Sequence, residues 1–73
     1  MEILAKRLKA LRESRRIYQR EMAEQLGLSF RGYQGYETNQ TEPKLATLIA
    51  IADYYHVSID YLVGRTDDPN INR

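Results

Sequence analysis

The sequence has no cysteine and no tryptophan, and its 73 residues include one histidine, two prolines and four glycines. The lack of cysteine excludes disulfide bonds, thiolate metal sites and cysteine nucleophiles. No long hydrophobic run is present, since the longest, Leu48–Ala52, is far too short to cross a bilayer. The segment Met1–Ala10 is charged and does not resemble a signal peptide. These absences indicate a soluble intracellular protein.

Residues suited to catalysis are also scarce. His56 follows a predicted helix, at a position where histidine tolerates the left-handed backbone of a helix end, so we assign it a structural role. The pair Asp67 and Asp68 lies beside Pro69 and is typical of a solvated turn. The four glycines do not form a phosphate-binding loop. The sequence therefore predicts a protein that is not an enzyme and that uses no cofactor and no metal.

The charges are unevenly distributed along the chain, although the net charge is only +1. Residues 1–36 carry eight basic and four acidic side chains, whereas residues 37–73 carry three basic and six acidic ones. A basic half is suited to a phosphate backbone, because bound cations release counterions from it. The alternative interpretation is a solvated helix surface.

Apolar residues recur at helical spacing, and no segment alternates apolar and polar residues as a strand would. The apolar positions of five predicted helices are Leu4, Leu8 and Leu11; Met22, Ala23 and Leu26; Tyr33 and Tyr36; Leu45, Leu48, Ile49, Ala52 and Tyr55; and Ile59 and Leu62. Ser29 and Ser58 are predicted N-caps, and Gly27 and Gly64 are predicted helix ends.

The predicted architecture is all-α. Residues 1–65 are expected to form one compact domain of five short helices. Residues 66–73 contain two Asp, two Asn and a Pro, and are expected to be a loose tail. Within the domain, Thr38–Lys44 is a polar loop whose Pro43 favours a helix starting just after it.

Two of the short helices, at about 19–37, are joined by a tight turn through Gly27. This is the geometry that allows the second helix to enter the major groove of DNA. The second helix carries Phe30, Arg31 and Gln34 on faces that its tyrosines do not occupy. Arginine and glutamine can form two-point contacts with guanine and adenine, respectively.

Four sequence segments resemble the Cro/C1-type helix-turn-helix family of phage and bacterial repressors. These are Tyr18–Ser29 (YQREMAEQLGLS), Tyr36-Glu37 (YE), Glu42-Pro43 (EP) and Leu45–Pro69. The resemblance covers nearly the whole chain and implies a lambda-repressor-like five-helix domain in the cytoplasm of a bacterium. It further implies sequence-specific binding of a double-stranded DNA operator, usually as a homodimer. At this length the chain is either a complete Cro-like protein or a fragment.

The resemblance also implies roles for individual residues. The base-reading positions are Phe30, Arg31 and Gln34, while Gly35 leaves a usual fourth position without a side chain. The positions facing the DNA backbone are Gln19, Asn39, Gln40 and Lys44, together with a basic corner formed by Arg15 and Arg16. Glu37 is expected to form an ion pair with Arg12 of the first helix.

The chain departs from the family pattern at several positions. Arg16 stands where the family has a glycine, and Tyr18 stands where serine or threonine usually caps the second helix. Gly32 and Gly35 lie within a helix and weaken it; they are tolerated, or they allow close approach to DNA, or the helix orders on binding. Phe30 either touches thymine methyl groups or packs against the domain surface.

The last helix offers more apolar surface than a small core needs, which favours a dimer over packing of the tail on the domain. The predicted contact residues are Tyr54, Ile59, Tyr61, Leu62 and Val63. The functional prediction is a DNA-binding transcriptional regulator, expected to be a repressor. The alternative is a protein-interaction module on the same fold, such as an antitoxin-like partner or an adaptor.

Overall fold

A computed structural model describes residues 1–71, and that range contains five helices and no strand. The helices are α1 (Glu2–Ser14), α2 (Gln19–Gln25), α3 (Phe30–Glu37), α4 (Leu45–Tyr55) and α5 (Ile59–Leu62). The predicted all-α architecture is therefore confirmed. No helix within these residues has both the length and the apolar content that crossing a membrane requires.

All five helices contribute to a single core. Its buried residues are Leu4, Leu8, Met22, Ala23, Tyr33, Ile51, Ala52, Tyr55, Val57 and Leu62. Burial of each large apolar side chain contributes about 1.5–3 kcal/mol relative to exposure. Helix α1 packs on α3 and α5, α2 packs on α3, and α4 packs on α5. In α3, Tyr33 is buried and Tyr36 packs against the core, whereas Arg31 and Gly32 are exposed.

Local hydrogen bonds set where the helices begin. The Ser29 hydroxyl accepts from the Gly32 amide at 3.0 Å, and the Ser58 hydroxyl accepts from the Tyr61 amide at 2.9 Å, so both predicted caps are present. Tyr18 lacks a capping hydroxyl close to its backbone. Instead, the Tyr18 amide donates to the Glu21 carboxylate at 2.9 Å, which is the reciprocal half of a capping box.

A left-handed residue follows each of the five helices: Arg16, Gly27, Asn39, His56 and Gly64. Gly27 and Gly64 have φ of +68° and +84°, as expected for glycines that end helices. His56 has φ of +55° and ends α4, which confirms its structural role. Arg16 has the same φ of +55° just after α1. The position at which the family has glycine is thus left-handed here too, although arginine occupies it.

The start of the C-terminal segment is tied to the domain, which corrects the prediction of a loose tail from residue 66. The Arg7 guanidinium donates to the carbonyl of Thr66 at 2.7 Å and to the carboxylate of Asp67 at 2.8 Å. The Ser58 amide donates to the carbonyl of Pro69 at 3.0 Å. These partners were not predictable from the sequence because they are 11 to 60 positions apart along the chain. Residues 72 and 73 lie outside the described range.

Candidate nucleic-acid interface

The turn between α2 and α3 is fixed by backbone hydrogen bonds. The amide of Leu28 donates to the carbonyl of Ala23 at 2.8 Å, and the amide of Gly27 donates to that of Glu24 at 3.1 Å. Leu26 and Leu28 pack against the core on either side of Gly27. The two helices therefore form a helix-turn-helix with a rigid connection.

Helix α3 presents different side chains on its two sides. Tyr33 faces the core and is 1% exposed, whereas Arg31 is exposed and Gln34 is half-buried. The Arg31 side chain makes no hydrogen bond or ion pair with residues 1–71. Its five N–H donors are accordingly available to a ligand.

The predicted ion pair between Arg12 and Glu37 is present at the end of α3. The Arg12 Nε and Nη2 donate to the two oxygens of the Glu37 carboxylate at 2.7 and 3.0 Å. The Glu37 side chain is 2% exposed and the Arg12 side chain is 11% exposed. Arg12 also donates from Nη1 to the carbonyl of Ile17 at 2.7 Å. The pair thus joins α1, the segment before α2, and α3.

Two further donors converge on the same carboxylate. Gln19 Nε2 donates to Glu37 Oε1 at 3.1 Å, and the Tyr33 hydroxyl donates to Glu37 Oε2. We refer to Arg12, Gln19, Tyr33 and Glu37 as the Glu37 cluster. The core position of Tyr33 was predicted but its hydroxyl bond was not, although the spacing of four residues between Tyr33 and Glu37 on one helix could have indicated it.

The electrostatics of the Glu37 cluster favour the ionised pair. Burial alone would raise the pKa of the Glu37 carboxyl, but the hydrogen bonds from Arg12, Tyr33 and Gln19 outweigh burial and lower that pKa below its ordinary value. The hydrogen bond to Glu37 raises the pKa of the Arg12 guanidinium. Burial, together with the bond to Glu37, raises the pKa of the Tyr33 hydroxyl. Glu37 is therefore a carboxylate, and Tyr33 a donor, at neutral pH.

The loop between α3 and α4 carries the other predicted backbone-facing residues. Asn39, Gln40 and Lys44 are all exposed. Asn39 has φ of +62°, and its Oδ1 accepts from the amino group of Met1 at 2.7 Å. The amide of Gln40 donates to the carbonyl of Gly35 at 2.9 Å, which folds the loop back on the end of α3.

The two glycines of α3 have neighbours within the protein. A Cβ at Gly35 would lie 2.9 Å from Oγ1 of Thr41 in the folded-back loop. A Cβ at Gly32 would lie 3.0 Å from the hydroxyl of Ser29, which is already the N-cap. Close contact with the Thr41 and Ser29 side chains is thus one physical reason for these glycines. It adds to the alternatives of simple tolerance, close approach to DNA and ordering of the helix on binding.

Arg15, expected from the sequence to form a basic corner with Arg16, also makes contacts within the protein that were not predicted. Its guanidinium donates to the carbonyl of Tyr55 at 3.0 Å and to that of Tyr54 at 3.5 Å, and it lies 5.1 Å from the centre of the Tyr55 ring. These bonds cap the end of α4, where helix carbonyls lack partners and a cation is favourable. Arg16 is exposed beside it.

Leu62 was wrongly included among the predicted dimer contacts. Its side chain is 0% exposed and belongs to the core, so it has no surface to offer a second subunit. Tyr54, Ile59, Tyr61 and Val63 are half-buried. Tyr61 is further covered by the Arg7 guanidinium, 4.1 Å from the ring centre. Helix α4 also carries exposed apolar side chains, since Leu45 is 67% exposed and Ile49, which lines a groove with Ile59, is 42% exposed.

The fold and the arrangement of α2 and α3 agree with comparisons to known proteins. The sequence model of the helix-turn-helix family (HTH_3) matches residues 8–62, and the chain belongs to this family. The resemblance to the Cro/C1-type family is thereby confirmed.

The relatives and the structural neighbour are regulators. The uncharacterized HTH-type transcriptional regulator YobD of Bacillus subtilis (strain 168) is 39% identical over 88% of this chain and 57% of its own length. The cryptic phage CTXphi transcriptional repressor RstR of Vibrio cholerae is 38% identical over 88% of this chain and 54% of its own. A crystal structure of a transcriptional regulator from Listeria innocua superposes with a TM-score of 0.82 at 32% identity, covering 89% of this chain and 61% of that one.

The chain spans about half the length of the curated relatives it matches. The names of these relatives agree with the prediction that the chain is not an enzyme.

Proposed function

We propose that this chain is a sequence-specific double-stranded DNA-binding transcriptional regulator, and a repressor, that places α3 in the major groove. The observation that carries the proposal is the Glu37 cluster. It fixes the end of α3 to α1 and α2 through a buried carboxylate, while Arg31 on the same helix is exposed and makes no bond within residues 1–71. A recognition helix needs this combination of a rigid support and exposed polar side chains.

Base reading is assigned to the exposed side of α3. Arg31 can contact guanine O6 and N7, and Gln34 can contact adenine N6 and N7. Phe30 is half-buried, so the part of its ring that remains accessible can contact a thymine methyl group. These contacts would carry the sequence preference, whereas contacts to phosphate would set position.

Contacts to the DNA backbone are assigned to Gln19, Arg16 and the loop after α3. The Gln19 amide group has two N–H bonds, and one of them is used on Glu37. The second can donate to a phosphate oxygen, so the Glu37 cluster would also orient a phosphate contact. Asn39, Gln40 and Lys44 are exposed along the loop and can follow the backbone. We assign Arg15 to stabilisation of α4 and not to DNA.

A homodimer on a two-fold symmetric operator is the second part of the proposal. Tyr54, Ile59, Tyr61 and Val63 keep partial exposure, and Ile49 adds an exposed apolar side chain next to Ile59 along one groove. Two copies joined here would contact two half-sites. The names of the bacterial and phage relatives support action in the cytoplasm of a bacterium.

The test is selection of bound duplexes from a random pool at about 150 mM salt, where nonspecific phosphate binding is weakened. A symmetric motif with half-sites about one helical turn apart is expected. Recovery of no motif would contradict the proposal. It would leave the protein-interaction module, such as an antitoxin-like partner or adaptor, which no structural feature described above favours. In that case the chain would also fail to shift a random DNA duplex in a gel-shift assay at low salt.

A further inference from the structure

Arg20 and Phe30 form a stack between the two helices of the helix-turn-helix. The guanidinium carbon of Arg20 lies 4.4 Å from the centre of the Phe30 ring. Arg20 is the second residue of α2 and Phe30 is the first residue of α3. The stack therefore bridges the N-terminal ends of both helices, next to Gln19 on one side and Arg31 on the other. Neither the charge pattern nor the helical spacing gave Arg20 a role.

Three arginines within residues 1–71 stack on aromatic rings, and two of them use their N–H donors on the protein. Arg7 donates to the carbonyls of Tyr61 and Thr66 and to Asp67. Arg15 donates to carbonyls at the end of α4. Within the described residues Arg20 makes neither a hydrogen bond nor an ion pair. Its side chain is nevertheless held in place by the ring.

Stacking leaves the donors of a guanidinium available. The guanidinium carbon lies over the ring, and the five N–H bonds of the group, which lie in its plane, make no hydrogen bond with residues 1–71. A group held in this way loses little freedom on forming a second, bidentate contact. The acceptor that fits it is a pair of oxygen or nitrogen atoms with matching spacing, such as O6 and N7 of guanine.

The position of the stack at the start of α3 favours contact between Arg20 and a base edge. The N-terminal residues of a recognition helix are those that reach base edges, and Phe30 is the first of them in α3. Because the Arg20 guanidinium lies over the Phe30 ring, it lies at this end of α3. We propose that Arg20 is a specificity-determining residue that reads a guanine in the major groove, with Phe30 as its stacking platform. This inference rests on the proposed DNA-binding function.

The experiment compares binding of a selected duplex with binding of duplexes changed at one base pair per half-site. Wild type is expected to require guanine at one pair outside the contacts of Arg31. Arg20→Ala and Arg20→Lys should each reduce discrimination at that pair by roughly tenfold or more, since lysine keeps the charge but lacks the planar two-point contact. Phe30→Tyr keeps the aromatic ring and should preserve the guanine preference at that pair. Phe30→Leu removes the ring and should weaken the same preference.

Arg65→Ala is the charge-matched control. Arg65 is exposed and follows α5, which packs on α1 and α4 rather than on α2 or α3. Circular dichroism and thermal melting of each variant establish that it is folded, and the exposed position of Arg20 favours folding of both of its variants.

The outcomes separate the inference from the function on which it rests. Equal loss of affinity for every duplex would overturn base reading and assign Arg20 to a phosphate. An unchanged guanine preference in Arg20→Ala would also overturn base reading by Arg20. In that case the motif selected by the wild type would leave the proposed function intact. A wild type that selects no motif would instead remove the proposed function, and this inference would fall with it.

Discussion

The guanidinium of Arg12 and the carboxylate of Glu37 form a two-point ion pair, with N···O distances of 2.7 and 3.0 Å, in which both side chains are almost fully buried. It connects the first helix with the last residue of α3. A buried pair of this kind adds little stability over an apolar replacement, but loss of one partner leaves a charge without compensation. We infer that its role is to fix where α3 lies.

We predict that the two partners are strongly coupled. Arg12→Met should destabilise the fold by about 3–5 kcal/mol, because the buried carboxylate loses its cation. Glu37→Gln should also destabilise, while the double variant should lose much less than the sum of the two. Urea unfolding followed by circular dichroism provides the four free energies of unfolding.

The exposed pair of Glu2 and Lys6 is the matched control for this cycle. Its side chains are 74% and 73% exposed, so a cycle on it should give a coupling of less than about 1 kcal/mol. Additive losses at Arg12 and Glu37 would show that the buried pair is not a unit and would weaken the role assigned to the Glu37 cluster.

The lowered pKa of Glu37 predicts a pH dependence of stability. A carboxyl whose pKa is lower in the folded than in the unfolded state stabilises the fold above its unfolded pKa and loses this contribution as pH falls through the folded value. The unfolded value for glutamate is about 4.3. The difference in unfolding free energy between wild type and Glu37→Gln should thus be full near neutral pH and should shrink below about pH 4. Urea unfolding across this range measures it, and a difference that grows on acidification would reverse the sign assigned to Glu37.

Features determined by neighbouring residues were predictable from the sequence. Ser29 and Ser58 cap helices through amides three residues away, and His56 ends a helix by its own backbone conformation. The glycines at 27 and 64 end helices for the same local reason. The pairing of Arg12 with Glu37 is not local, and it was expected because the family resemblance places these residue types in register.

Features that depend on how distant segments meet were not predictable. The Arg15 guanidinium binds carbonyls 39 and 40 positions away, and nothing in its own segment distinguishes that role from contact with phosphate. The residue type and helical spacing of Leu62 do not distinguish a dimer contact from a core residue. Packing of α5 on α1 and α4 buries Leu62 completely. The stack of Arg20 on Phe30 likewise requires the turn geometry between α2 and α3.

Replacement of Arg16 by glycine should stabilise the fold. Arg16 adopts φ of +55°, a conformation that costs a side-chain-bearing residue about 1–2 kcal/mol and costs glycine almost nothing. Because the unfolded glycine chain is more flexible, a net gain of about 1 kcal/mol is expected. Arg16→Ala keeps the strain and should show no such gain. Thermal melting of the two variants tests this prediction. Equal melting temperatures for Arg16→Gly and Arg16→Ala would contradict the explanation by backbone strain.

Contact between α3 and the loop after it should determine the effect of an added methyl group at Gly35. Alanine in a helix is favoured over glycine by about 1 kcal/mol, but its Cβ here would lie 2.9 Å from Thr41 Oγ1. Gly35→Ala should therefore gain little or lose stability in the wild-type background. In a Thr41→Ala background the same change should gain close to the full amount. Chemical denaturation of the four proteins tests this, and identical effects in both backgrounds would exclude the contact as the reason for glycine.

Arg31 and Lys44 should differ in the kind of binding they support. Arg31 is exposed on α3, so Arg31→Ala should reduce preference at one base pair by about 1–3 kcal/mol. Lys44 is exposed at the end of the loop, so Lys44→Ala should weaken binding to all duplexes and lower the slope of log affinity against log salt by about 1. Fluorescence anisotropy with matched and altered duplexes, at several salt concentrations, measures both quantities. If the two substitutions weaken every duplex equally, Arg31 is a phosphate contact, and base reading by α3 would have to depend on Gln34 and its neighbours.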